Sequence, residues 1–177
     1  MNRKNLFLLI SVIVLFCLSS CDPLANSIAD GIAAFDTATD PQAHEMYFNI
    51  NGNTAYLNTN DNLPSSLLIP QTVGGNAVTA VENCTGSFTS VRIPGHVKTI
   101  KEEAFAGCTN LETVVIDDGV ELIESLAFDG CTYLTLVIFN CSEMPEIEPG
   151  AFPLGNGIEY RHGTQSYDNL NALLAAL

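Results

Sequence analysis

The sequence is short of positive charge. Its 177 residues include six Lys and Arg against twenty Asp and Glu, a formal net charge of −14. With no basic stripe to neutralise phosphates, a nucleic-acid partner is excluded. The same balance favours solubility and keeps the body of the protein off an anionic lipid surface. Metal-site spacing is missing as well. Cys84, Cys108, Cys131 and Cys141 are widely separated, with no C-x-x-C pair among them. His44, His96 and His162 have no Cys or Ser at a catalytic spacing, and they read as solvated surface residues. The carboxylates Asp117, Asp118, Glu121 and Glu124, then Glu143, Glu146 and Glu148, contain no D-x-[DN]-x-[DN]-G loop. A solvated outer surface accounts for them. No enzymatic activity, metal or cofactor is implied. Long apolar runs are also lacking: the longest, Leu6 to Leu18, falls short of the roughly 20 residues that a spanning helix requires.

What is present begins with that run. Arg3 and Lys4 precede it and the small residues Ser19 and Ser20 follow it, the layout of a secretory signal over residues 1–20. Leu18-Ser19-Ser20-Cys21 resembles the bacterial lipobox, where a signal peptidase cuts just before a lipidated cysteine. The resemblance makes Cys21 the mature N-terminus and the lipid bilayer a partner through its acyl chains, each buried CH₂ contributing about 0.8 kcal/mol. Without Arg3 and Lys4 the balance is four basic against twenty acidic residues, or −16. Residues 21–45 are small and polar, a flexible tether with one helical stretch around Ile28 to Phe35. Residues 46–66 include two alternating runs around Asn51-Gly52-Asn53, which predicts a β-hairpin cap.

The remainder is repetitive. AFAGCTNL at 104–111 and AFDGCTYL at 127–134 are identical at six of eight positions and set a period of about 23 residues. Phe88–Asn110 and Leu111–Tyr133 align without gaps, and Val91/Val114, Ile93/Ile116, Ile100/Ile123, Phe105/Phe128 and Cys108/Cys131 coincide. A third unit starts at Leu134, with Ile147 and Phe152 one residue late. An earlier one is traced by Leu67, Ile69, Val78 and Val81, and Cys84 remains where its A-F element is missing. V-x-I puts two side chains on one face of a strand. K-E-E-A-F-A-G has short helical character and ends at Gly107. No single unit can bury its inner face, so the units stack at about 4.8 Å into one solenoid core of four to five turns. Phe105, Phe128 and Phe152 then form an aromatic ladder. The three cysteines Cys84, Cys108 and Cys131 fall in one column as small buried filler, with a disulfide between neighbouring rungs as the alternative.

These units resemble the BspA-like bacterial leucine-rich repeats, whose pattern L-x-x-[VI]-x-[IV]-P-x-x-[VI]-x-x-I-x-x-x-A-F-x-x-C they follow, Asp117 replacing the proline present at Pro94. The resemblance implies a β-rich solenoid over 67–160 on a secreted or surface-attached bacterial protein, commonly an adhesin, with no catalytic set. Residues 161–177 form a capping segment. Leu170, Leu173, Leu174 and Leu177 lie at helical spacing, with Ser166 or Asp168 as the N-cap.

With the inner positions assigned to packing, function moves to the outward columns of the V-x-I strand. One column is Ser66, Ser90, Thr113 and Leu136. Beside it run Leu68, Arg92, Val115, Ile138 and Glu159. Val115, Leu136 and Ile138 are apolar where polar residues are expected. They make a candidate interaction face with Arg92, Leu68 and Thr113, unless the C-terminal helix or the tether covers it. The expectation is a lipid-anchored protein of the bacterial cell envelope, at the outer membrane or cell surface, that binds a protein or glycan partner. The alternative is a structural, self-associating spacer of the envelope.

Overall fold

The computed structural model describes residues 41–58, 63–154 and 157–177. The leader, Cys21 and the stretch Ile28 to Phe35 lie outside these residues. No helix among the described residues is long and apolar enough to cross a membrane.

The first described element is a 3₁₀ helix, η1 (Pro41–Tyr47), which begins in the expected tether (21–45) and runs two residues into the expected cap. It is held to the body by side chains: the Leu68 N–H donates to His44 Nδ1 at 3.1 Å, and the Gly74 N–H donates to Glu45. The expected hairpin follows, β1 (Phe48–Asn51) and β2 (Thr54–Leu57), with Gly52 at φ +64° in its two-residue turn. Along the chain come β3 (Ser66–Leu68), a small second hairpin of β4 (Thr72–Val73) and β5 (Asn76–Ala77), and β6 (Ala80–Val81). Long and short strands then alternate: β7 (Ser90–Ile93), β8 (Thr99–Ile100), β9 (Thr113–Asp117), β10 (Leu122–Ile123), β11 (Leu136–Asn140) and β12 (Glu146–Ile147). The last elements are β13 (Glu159–His162), β14 (Gln165–Tyr167) and a short helix, α1 (Leu170–Ala175).

The alternation sorts the strands, apart from the β4–β5 hairpin, into two six-stranded sheets. The longer strands form one in the order β14-β13-β11-β9-β7-β3, and the shorter strands the other in the order β1-β2-β6-β8-β10-β12. Register partners Ser66, Ser90, Thr113, Leu136 and Glu159 recur at about 23 residues, the period of the repeat itself. The chain is therefore a β-solenoid of about four turns, one repeat to each turn. Successive turns are parallel, and antiparallel hairpins stand at opposite ends of the two sheets.

Between the sheets lies one continuous apolar core, to which V-x-I strands, V-x-x-I strands and A-F turns all contribute. The aromatic ladder is present. Phe105 and Phe128 stack at 5.1 Å, Phe128 and Phe152 at 4.9 Å, and Phe88 and Tyr160 close its two ends edge-on. Burying each such ring contributes about 1.5–3 kcal/mol. The A-F segment is not helical but a run of tight turns, with Ala104 N–H bonded to Lys101 O and Ala106 N–H to Glu103 O. The chain enters it through a residue at positive φ: Glu103 and Leu126, both at +57°, and Gly150 at +79°.

Cys84 departs from its expected column. The Phe105 N–H bonds to Ala127 O of the next turn, and the Phe128 N–H to Ala151 O. The Cys84 N–H makes the same bond to Ala104 O. Cys84 thus stands at the ladder position, because the first turn is shorter between Val81 and Phe88 than later turns between Ile and Leu. At the other end, α1 is capped by Asn169, whose Oδ1 accepts the Ala172 N–H at 2.8 Å. The expected cap Ser166 lies in β14 and donates to Glu159 instead. Of the leucine stripe only Leu173 is buried in the core.

Candidate functional site

Period two along the longer strands sets the outer face. Register pairing gives one column of Ser66, Ser90, Thr113, Leu136 and Glu159, and a second of Leu68, Arg92, Val115, Ile138 and Arg161. All six residues expected at an interaction face share this surface. Two corrections follow. Glu159 belongs to the first column, and the second ends on Arg161, which counting outward from the buried Tyr160 would have found. Nor is the apolar centre open: Val115 is 1% exposed and Ile138 4%, and with the half-buried Leu136 they form a cluster separate from the main core. The C-terminal helix is not the cover, since its buried residue, Leu173, packs into the main core.

Two arginines flank this centre in register. Arg92 reaches diagonally to Asp117, two residues beyond Val115, with Nε–Oδ2 at 2.7 Å and Nη2–Oδ1 at 3.2 Å. Its stem therefore runs beside Val115, as long cationic side chains do over apolar surface. Asn140 donates to the same carboxylate. On the other side Arg161 Nε donates to Glu159 Oε1 at 2.7 Å, and Ser166 Oγ donates to that oxygen at 2.6 Å. These two bonds hold the Glu159 carboxyl below its ordinary range. Asp117 was read as a solvated carboxylate and Asn140 was not singled out, because the partners of both lie one turn away; Arg161 was passed over because Glu159 was set in its column.

The remaining chemistry-bearing side chains serve the fold. Cys84, Cys108, Cys131 and Cys141 are thiols, not joined in disulfides. Cys108 Sγ donates to Cys84 O at 3.3 Å and Cys131 Sγ to Phe105 O at 3.2 Å. Burial pushes the Cys84 thiol far up. Cys131 is pushed up first by its hydrogen bond with Cys108 and then by burial. Cys141 is pushed up to about 11 by burial and by the charges of Asp118 and Asp117. Thiols held protonated in this way are poor nucleophiles. The histidines are not the solvated residues expected. His44, on η1, is buried, His96 Nε2 donates to Pro70 O at 3.0 Å, and His162 Nε2 donates to Cys141 O at 2.9 Å. The acidic residues are partly engaged: the Asp118 carboxyl accepts the Ser142 N–H and hydroxyl, which lowers its pKa. Among the described residues no three ligand-type side chains converge as a metal site.

The family model for the BspA type leucine rich repeat region matches residues 66–164 in six copies, more than half of the chain. No curated protein and no solved structure matches.

Proposed function

Because this chain belongs to the BspA-type leucine-rich-repeat family, we propose that it is a bacterial cell-envelope lipoprotein whose solenoid binds a protein or glycan partner in adhesion. The carrying observation is the outer face of the longer sheet, an apolar centre between two arginine–carboxylate pairs. With the apolar centre closed in the free chain, the partly exposed polar groups around it, Arg92 beside Asp117 and Thr113, are what this face offers a partner. Anchoring rests on the apolar leader and on Leu18-Ser19-Ser20-Cys21.

The anchor is tested by feeding a radiolabelled fatty acid to producing cells. The wild-type chain is expected to take up label and Cys21→Ala to lose it, while protease added to whole cells degrades a surface-displayed chain. Val115→Asp or Ile138→Asp would test folding before contact, since both side chains are closed from solvent. The contact test therefore falls on the partly exposed Arg92 and Thr113. Retention on immobilised glycans and matrix proteins should drop at least tenfold in Arg92→Ala combined with Thr113→Glu. Retention unchanged in that variant would move the site off this face. A mass that rises with concentration in light scattering, with no retention, would favour the spacer reading instead.

A further inference from the structure

The shorter sheet stops at β12 with nothing beyond it among the described residues, whereas the longer sheet is finished by β14. Glu146 N–H bonds back to Glu121 O and Glu148 N–H to Ile123 O. In a parallel ladder the residue between them faces the opposite way, so the Ile147 N–H and C=O point away from β10, toward where a further turn would lie. Its counterparts in earlier turns are all used. Ala55 O accepts from Glu82, Val81 O from Lys101, Ile100 O from Glu124 and Ile123 O from Glu148.

The space beside this edge is a groove of about 460 Å³ between β12, the last A-F turn and α1, lined by Ile147, Phe152, Ile158, Leu170 and Leu174. That volume lies in the range of ligand sites, about 300–1,000 Å³. Its rim is apolar and uncovered, with Leu154 92% and Leu174 43% exposed. Around it are carboxylates: Glu148 and Asp168 line the groove and Glu146 stands next to Ile147. Glu148 already accepts the Ser125 N–H through Oε2, leaving Oε1. Within the solenoid, turns meet through lysine–glutamate pairs at this same surface, Lys98 with Glu121 and Lys101 with Glu82. Glu148 stands in the Glu82–Lys101 column and has no next turn to supply a lysine, while Glu146, in the column of Thr99 and Leu122, adds a second carboxylate at the edge.

We propose that this end of the shorter sheet takes up an extended cationic segment of another protein as an added parallel strand. Its apolar side chain would enter the groove beside Ile147, with a lysine or arginine on either side against Glu146 and Glu148. The backbone edge supplies affinity and the alternation supplies selectivity, as in strand addition generally. Charge decides the occupant: a second copy of this chain is strongly acidic, and residues 22–40 carry Asp22, Asp30, Asp36 and Asp40 with no basic residue, so both are repelled from this rim.

The test uses the full-length chain and a fluorescein-labelled hexapeptide of alternating lysine and valine, followed by anisotropy. Saturable binding is expected. Ile147→Pro removes the outward N–H together with the Ile147 side chain, keeps the Glu146 and Glu148 N–H donors to β10, and should weaken binding at least tenfold; Glu146→Lys should weaken it comparably. N-methylating the lysine amides of the peptide should have the same effect without altering the protein, which covers the case of a misfolded Ile147→Pro. Arg92→Ala should leave this binding unchanged, since it lies on the other sheet. No binding, equal binding of the N-methylated peptide, or loss of binding in Arg92→Ala would each overturn the proposal.

Discussion

Gly95 shows how closely one turn is laid on the next. A Cβ placed there would sit 1.7 Å from the carbonyl oxygen of Asp118, and one on Gly119 would sit 2.7 Å from the Gly95 carbonyl. Both clashes are with backbone, so no side chain can swing aside. Gly95→Ala is expected to lower stability by about 1–3 kcal/mol in urea titration, as overpacking of a filled site does. Glu103 predicts the opposite sign. It is exposed and sits at φ +57°, where an L side chain is strained by about 1–2 kcal/mol. The third unit already has Gly150 there. Glu103→Gly should therefore raise stability by about 0.5–1 kcal/mol after the added freedom of the unfolded chain is subtracted. At this scale the sequence shows which side chains point inward, because a two-residue period cannot place Val91, Ile93, Val114 and Ile116 otherwise. It does not show the fate of Cys84, since a shortened turn leaves the cysteine in the text while the hydrogen bonds move it into the phenylalanine column.

Elements at the two ends were less legible than those between. The repeating strands are specified by internal comparison, each unit confirming the next, whereas η1 and α1 occur once. In η1 the His44 imidazole accepts a backbone N–H through Nδ1, with the Tyr47 ring edge-on at 6.0 Å and Glu45 bonded beside it. That acceptor exists only in the neutral ring. Burial lowers the pKa of His44 below 6.5, and burial also lowers that of His96. The unfolded chain thus binds protons that the folded chain resists. The stabilisation is complete above about pH 6.5 and is lost as pH falls from there toward the lowered folded value. Urea midpoints at pH 7.5 and pH 5 should show this loss. His44→Asn, whose amide oxygen accepts without titrating, should reduce it, leaving the share due to His96. The sequence offered no sign of this clasp, because a histidine a full turn ahead of the strand it caps has no local signature.

For the whole molecule, the alternation of long and short strands settles the architecture, and the hairpins settle which sheet ends are finished. The outer face was legible as a place but not as a state: its columns follow from register, yet an outward position alone does not tell that Val115 and Ile138 are closed from solvent. Among the described residues the solenoid's ladder bonds run between adjacent turns, as where Glu112 O receives Thr135 and Leu136 while Thr89 O receives Glu112 and Thr113. That has a mechanical meaning. A chain held at one end and pulled at the other has no long-range clamp to break first, so tension peels it a turn at a time. Each turn, one repeat long, releases about 80 Å of contour. Single-molecule stretching should give a train of rips at that interval. One abrupt event for the entire solenoid would mean the turns yield together. Under load, such a chain lengthens stepwise and retains the turns it has not yet lost.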